Sequence, residues 1–282
     1  MRRLATGALA ALALALMGAP ATSQAATPVR YVAMGDSYSS ASGVLPPDPT
    51  GVTCTRSLVN YPHDIAAATG AQLTDVTCGA AQTKDFFESQ QPGVAPQLDA
   101  VQADTQLVTL TIGGNDSGVF IDSIVECGIA GASTAGQGSP CKDQYGSSFE
   151  DTIRSTTYPA LVKALQAVRA KAPDAKVAIL GYPWILPPTV GCFDKMPVAE
   201  GDVPYLRSEQ ATLNDAVQRA AAATGAKYVD MSKVSEGHDA CQPIGTRWIE
   251  PVLQGTNPVI VHPNALGESQ MAAQTMRVLH LN

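Results

Sequence analysis

Five short segments rich in Val, Ile, Leu and Thr punctuate the chain: Val29–Met34, Gln72–Thr77, Leu107–Ile112, Lys176–Leu180 and Lys227–Met231. Helical patterns lie between and after them. Pro62 can open a helix that Gly70 closes. Leu161, Leu165 and Val168 recur at helical spacing within Tyr158–Lys171, and Leu206, Gln210, Leu213 and Val217 do so in the next stretch, before Gly225. A last helix is expected over Ala265–Leu279. Strands alternating with helices predict a parallel sheet covered on both faces. Several strand segments are nearly continuous apolar runs, as burial on both faces requires. The expected fold is a three-layer α/β/α sandwich around a flavodoxin-like parallel sheet of about five strands, with its site beyond the carboxyl ends of the strands. Cys127–Ser148, rich in Gly and Ser, and Pro183–Asp202, rich in Pro, read as two long loops. No repeat or low-complexity linker divides residues 26–282, which read as one domain of about 257 residues.

The first 25 residues read differently. Arg2 and Arg3 precede an uncharged apolar run from Leu4 to Met17, and Ser23 and Ala25 suit cleavage after Ala25. Such a pattern is a secretory signal peptide, because about 14 apolar residues fall short of a membrane span. The expectation is a soluble, exported, monomeric protein without stable membrane insertion. Removing the signal leaves sixteen Lys and Arg against 25 Asp and Glu, a net charge of −9. Phosphate recognition needs clustered basic residues, so nucleic acid is excluded as a partner.

Export also bears on Cys54, Cys78, Cys127, Cys141, Cys192 and Cys241. An even count in an oxidising compartment reads as three disulfides, and the absence of C-x-x-C spacing argues against a metal site. The predicted topology puts Cys54 and Cys78 after strands one and two, and Cys192 and Cys241 after strands four and five. Nearest-in-sequence pairing follows: Cys54–Cys78, Cys127–Cys141 and Cys192–Cys241, each contributing ~2–4 kcal/mol by restricting the unfolded chain.

Three places carry chemistry. Strand one runs into Gly35-Asp36-Ser37-Tyr38-Ser39, where a serine at a carboxyl edge can stand at a helix N-terminus whose N–H groups favour a negative oxygen. Strand three runs into Gly113-Gly114-Asn115-Asp116, which puts a side-chain amide at the same edge. Before the last helix comes His262-Pro263-Asn264-Ala265-Leu266-Gly267. Of the other histidines, His63 and His280 are expected at the surface, while His238 after strand five is the rival base. Asp36 and Asp116 are read as structural, since short acids in turns accept local backbone N–H groups.

Together these blocks resemble the SGNH hydrolases, also called GDSL lipases and esterases, over nearly the whole mature chain. Tyr61-Pro62, Gly181-Tyr182-Pro183 and the three disulfides resemble the secreted actinobacterial branch. The resemblance implies a cofactor-free hydrolase of carboxylic esters, acting on lipid or short-to-medium acyl esters, with acetylated polysaccharide as the alternative substrate. It implies that Ser37 attacks the carbonyl, that His262 accepts its proton, and that an oxyanion meets the Ser37 N–H, a second-block N–H and the Asn115 amide. A non-catalytic secreted binding module is the contrasting reading, but a binder has no need of Ser37, Asn115 and His262 together.

The chain departs from the family pattern twice. The second block, usually Cys-x-Gly-Ala, is here Cys78-Gly79-Ala80-Ala81, so the donor is Ala80 or Gly79. The acid expected three residues before the histidine is Val259, and the nearest acids, Glu250 and Glu268, lie 12 and 6 residues from His262. A backbone carbonyl of Pro258–Ile260 is then expected to orient His262, with Val259 the first choice.

Overall fold

The computed structural model describes residues 27–281. The signal-peptide expectation for residues 1–25 lies outside the described residues. The chain runs β1 (Arg30–Gly35), α1 (Ser37–Ser40), α2 (Tyr61–Thr69), β2 (Gln72–Asp75), β3 (Leu107–Thr111), α3 (Val119–Ser133), α4 (Pro140–Tyr145) and α5 (Ser148–Thr152). A π-helical turn over Ile153–Thr157 leads into α6 (Tyr158–Lys171), then β4 (Lys176–Leu180), α7 (Val203–Thr224), β5 (Lys227–Val229) and α8 (Ala265–Leu279).

The sheet is parallel, in the order β2-β1-β3-β4-β5. Right-handed crossovers explain the layers. The β1-to-β2 crossover runs opposite to those leading to β4 and β5, so α2 falls on one face and α6 and α7 on the other. The packing agrees, with α2 against α8 and α6 against α7. Val32, Ala33, Met34, Val108, Leu110 and Ile179 between them are buried on both sides, as the apolar runs required. The direction in which successive strands are added reverses beside β1, the switch point at which such sheets open a crevice at their carboxyl ends.

The two edge strands end earlier than the sequence predicts. Asp75 Oδ1 accepts from Thr77 N (2.9 Å) and Thr77 Oγ1 (2.6 Å), and Asp230 Oδ1 accepts from Ser232 N (2.9 Å). These side chains draw the backbone into turns at the strand ends. The larger correction concerns Cys127–Ser148, which is not a loop. Helix α3 runs through Cys127 to Ser133, and α4 follows from Pro140. Gly131 misled the reading because glycine weakens a helix. Here it admits another segment, since a Cβ at Gly131 would come within 2.6 Å of the Pro197 carbonyl oxygen.

The cysteines pair as Cys54–Cys78, Cys127–Cys141 and Cys192–Cys241. The first ties the segment after α1 to the end of β2, and the third ties the β4–α7 connection to the segment after β5. Both clamp chain at the carboxyl edge of the sheet. Among the described residues, no helix is long and apolar enough to cross a membrane.

Candidate active site

Adjacent strands β2, β1 and β3 bring the first three sequence blocks together. Gly35 has φ +118°, and a Cβ there would lie 2.2 Å from the Thr111 carbonyl oxygen. Only glycine lets the chain approach β3 this closely, and the next amide, Asp36 N, donates to that oxygen at 2.9 Å. Cys78 N donates to Gly35 O at 3.0 Å, and Asn115 Nδ2 donates to Ala81 O at 3.1 Å. The second block is thereby tied to both its neighbours.

Asp36 caps α1 by accepting from Tyr38 N at 3.0 Å. It also accepts from Thr111 Oγ1 (2.7 Å) and the Tyr182 hydroxyl (2.5 Å), and that hydroxyl accepts from Gly114 N (3.0 Å). Burial pushes the Asp36 carboxyl up to about 6, against the pull of these hydrogen bonds. Asp116 is structural, but its partners are not local. It accepts from Thr83 N (2.9 Å) and Thr83 Oγ1 (2.8 Å), 33 residues away, and fastens the third block to the segment after the second.

Ser37 is the first residue of α1, where a helical N–H has no partner within the helix. Its Oγ lies 2.7 Å from His262 Nε2. His262 Nδ1 is 2.7 Å from the carbonyl oxygen of Ile260, not of Val259. The cause is Val261, a β-branched residue at φ +53°. That left-handed turn swings the Ile260 carbonyl under the ring, while Val259 is held back by Asn257 Oδ1, which accepts from its N–H at 2.9 Å. Such a conformation costs of order 1–3 kcal/mol and needs outside support. Support comes from the Tyr38 hydroxyl, which donates to Val261 O at 2.6 Å, and from Glu250, whose backbone pairs with Val261 N and His262 O at 2.9 Å each.

His262 is almost fully buried, and desolvation pushes its imidazole down to about 4 although the Ile260 carbonyl favours the protonated form. At neutral pH it is therefore an unprotonated base, with Nδ1–H facing Ile260 and Nε2 facing the serine.

The rival histidines are elsewhere. His238 stacks on Trp248 at 4.4 Å, with Nδ1 2.6 Å from Thr246 O. His280 is exposed, as expected. His63 is half-buried rather than on the surface, with Nδ1 2.7 Å from Asn60 Oδ1 and 3.5 Å from Asp75. Neither nearby acid reaches His262. Glu250 pairs with Arg247 at 2.6 Å and accepts from Thr256 N at 2.6 Å, while Glu268 accepts from Tyr61 N at 2.9 Å.

The second block offers three amides. Gly79 N is committed to Cys54 O (2.8 Å) and Ala81 N to Cys78 O (3.1 Å). Gly79 is thus removed as an oxyanion donor. Ala80 sits at φ +61° and, among the described residues, its N–H has no backbone acceptor. One N–H of Asn115 is used on Ala81 O, which fixes the amide and leaves the other free. Among the described residues, no three His, Cys, Asp or Glu side chains converge as a metal site would require.

The sequence reading missed Tyr38, Tyr182 and Phe120. The first two stand in motifs it quoted without a role, while Phe120 carried no signal. The Phe120 ring lies 6.3 Å from His262 and 6.0 Å from Tyr38, edge-on to both. With Gly113 and Gly114 it borders a mainly apolar cavity that Val119, Ile124, Ile185 and Leu206 help to line.

Comparison with known proteins agrees with this arrangement. Residues 33–269 match the model of the GDSL-like Lipase/Acylhydrolase family. The chain is 61% identical to Lipase 2 of Streptomyces coelicolor, across 100% of this chain and 98% of that protein. Its fold is similar to the crystal structure of phospholipase A1 from Streptomyces albidoflavus, with a TM-score of 0.75 and 30% identity, covering 89% of this chain and 100% of the other. It is also similar to the extracellular lipase of Streptomyces rimosus, with a TM-score of 0.74 and 29% identity, covering 89% of this chain and 99% of that one. With the match running from inside β1 to inside α8, the chain belongs to the GDSL-like lipase/acylhydrolase family.

Proposed function

We propose that this protein is an exported lipid-ester hydrolase working through a Ser37–His262 dyad and an acyl-enzyme. The observation that carries the proposal is the His262 ring bridging Ser37 Oγ and Ile260 O, 2.7 Å from each. His262 takes the Ser37 proton as Oγ attacks the ester carbonyl. The imidazolium so formed keeps its Nδ1–H on the Ile260 carbonyl. Negative charge on the former carbonyl oxygen is met by the N–H groups of Ser37 and Ala80 and the free N–H of Asn115. Collapse breaks the ester C–O bond, and His262 returns the proton to the departing alcohol. Water then attacks the acyl-enzyme with the same base, releasing the acid and restoring Ser37. No step calls for a metal or organic cofactor.

Lipid or medium-chain acyl esters are favoured over acetylated polysaccharide because the cavity bordered by Phe120, whose ring lies 6.3 Å from His262, has walls of Val, Ile and Leu. An acetyl group would leave those walls uncovered. In this reading residues 1–25 are an export signal and residues 26–282 act as a monomeric single domain.

The test is a hydrolysis panel of p-nitrophenyl esters, triglyceride, phosphatidylcholine and acetylated xylan, run on the parent, Ser37→Ala, His262→Ala and His238→Ala. Glyceride or phospholipid acyl esters should be cleaved in preference to acetylated xylan. Loss of either dyad member should cost several orders of magnitude in kcat, up to ~10⁶ as in a protease that works the same way. His238→Ala should keep parental rates. Preferred cleavage of acetylated xylan would overturn the substrate assignment, and equal losses from both histidine substitutions would overturn the choice of base.

A further inference from the structure

The apolar cavity beside the active site contains one ionisable side chain, Glu209, that the mechanism above does not use. It projects from the middle of α7, on the face that Leu206, Gln210 and Leu213 also turn to the cavity. Glu209 is 6% exposed, and its Oε2 is buried without a hydrogen-bond partner. A buried acceptor left open costs about 1–3 kcal/mol, so its retention on an otherwise apolar stripe calls for an explanation.

The other polar groups around the cavity are occupied. Gln210 Oε1 accepts from Ile185 N (3.1 Å) and its Nε2 donates to Pro183 O (2.6 Å). Ser123 Oγ donates its only proton to Phe120 O (3.1 Å). Burial pushes the Glu209 carboxyl up to about 8. The unpartnered Oε2 faces a pocket of hydrocarbon.

We propose that Glu209 is a specificity-determining residue that accepts a hydrogen bond from a hydroxyl group on the acyl chain, so that hydroxyacyl esters are preferred substrates. The proposal rests on the dyad reading, because the chain must run from Ser37 past Phe120 into the cavity. A hydroxyl suits the open Glu209 atom in either protonation state, since it can donate to the carboxylate and both donate to and accept from the acid. The wall allows little else. Ile153, in the π-helical turn, and Ile185 contribute only hydrocarbon, and π turns of this kind recur where helices line functional cavities.

The experiment compares kcat/KM for p-nitrophenyl decanoate with its mid-chain and ω-hydroxy isomers, in the parent and in Glu209→Leu and Glu209→Gln. The parent should prefer at least one hydroxy isomer by about tenfold or more, the worth of one good buried hydrogen bond. Glu209→Leu should abolish that preference, whereas Glu209→Gln, which keeps an acceptor oxygen, should retain most of it. Replacing a buried acid by an apolar residue of similar size is usually tolerated, and the parent's own preference reads out even if that variant fails to fold. A parent that hydrolyses plain decanoate with no preference for any hydroxy isomer overturns this inference alone. So does a preference that survives intact in folded Glu209→Leu. A parent that cleaves none of the esters overturns the dyad reading instead.

Discussion

Asp36 and His262 should titrate against each other, and a single substitution should expose it. Burial raises the Asp36 carboxyl from its ordinary 3.8 to about 6. The folded protein thus holds that proton more tightly than the unfolded chain. The stability this supplies is complete below pH 3.8 and is lost as pH rises through about 6. Burial lowers the His262 imidazole from 6.5 to about 4, so its contribution is complete above pH 6.5 and is lost as pH falls through about 4. At 1.36 kcal/mol per pKa unit each amounts to about 3 kcal/mol, and in the parent the two nearly cancel between about pH 4 and 6. Asp36→Asn removes the first and leaves the second. The substitution also spoils one of the three hydrogen bonds to the carboxyl, at a pH-independent cost of about 1–3 kcal/mol. Urea unfolding followed by the fluorescence of Trp184 and Trp248 gives the free energy of each protein. Between about pH 3.5 and about pH 7 the parent should lose about 3 kcal/mol relative to Asp36→Asn. A gap that stays constant within about 1 kcal/mol, with equal m-values, would refute the opposed titration.

The same lowered imidazole sets the acid limb of activity. Since His262 must be unprotonated to act, kcat/KM should stay level down to about pH 4 and fall below it, whereas a midpoint near 6.5 would mean the ring is not desolvated in the free enzyme. Asn115→Ala should lower kcat by about 10²–10³ with little change in KM, and an unaltered kcat would remove Asn115 from the oxyanion site. Asp239→Asn, at a buried acid beside His238 that accepts from Cys241 N at 3.0 Å, Glu250→Gln and Glu268→Gln should each keep kcat within about tenfold of the parent, far short of the ~10⁴ lost when a true triad loses its acid. Glu250→Gln should nonetheless lower Tm, because it weakens a buried pair with Arg247. A thousandfold loss in any folded member of the three would reveal a triad.

Much of the fold was legible because it depends on local pattern. Helix α6 follows from apolar spacing, α2 from Pro62 and Gly70 at its ends, and β4 from a short apolar run. The site blocks were legible because they sit where strands run into turns rich in Gly, Asp and Asn. Long-range partners leave no such mark. Nothing near Asp116 in sequence indicates Thr83, and nothing in the composition of α3 says that Gly131 makes room for Pro197. The carbonyl that orients His262 depends on one dihedral angle, the positive φ of Val261, which Tyr38 and Glu250 impose from a distance. A valine is among the last residues expected there. Glu209 did leave a signal, an acid within the Leu206, Gln210, Leu213 stripe, which is where a buried carboxyl would be sought.

The central claim is that His262 activates the Ser37 hydroxyl, and covalent labelling reads it directly. A fluorophosphonate captures a serine only when its hydroxyl is activated, and the phosphorus–oxygen bond it forms survives peptide mapping. The parent should carry a single adduct, on the peptide containing Ser37. His262→Ala, folded and with Ser37 intact, should label slower by orders of magnitude. An adduct on another residue would contradict the account, as would equal labelling of the two proteins or an unlabelled parent that still hydrolyses esters.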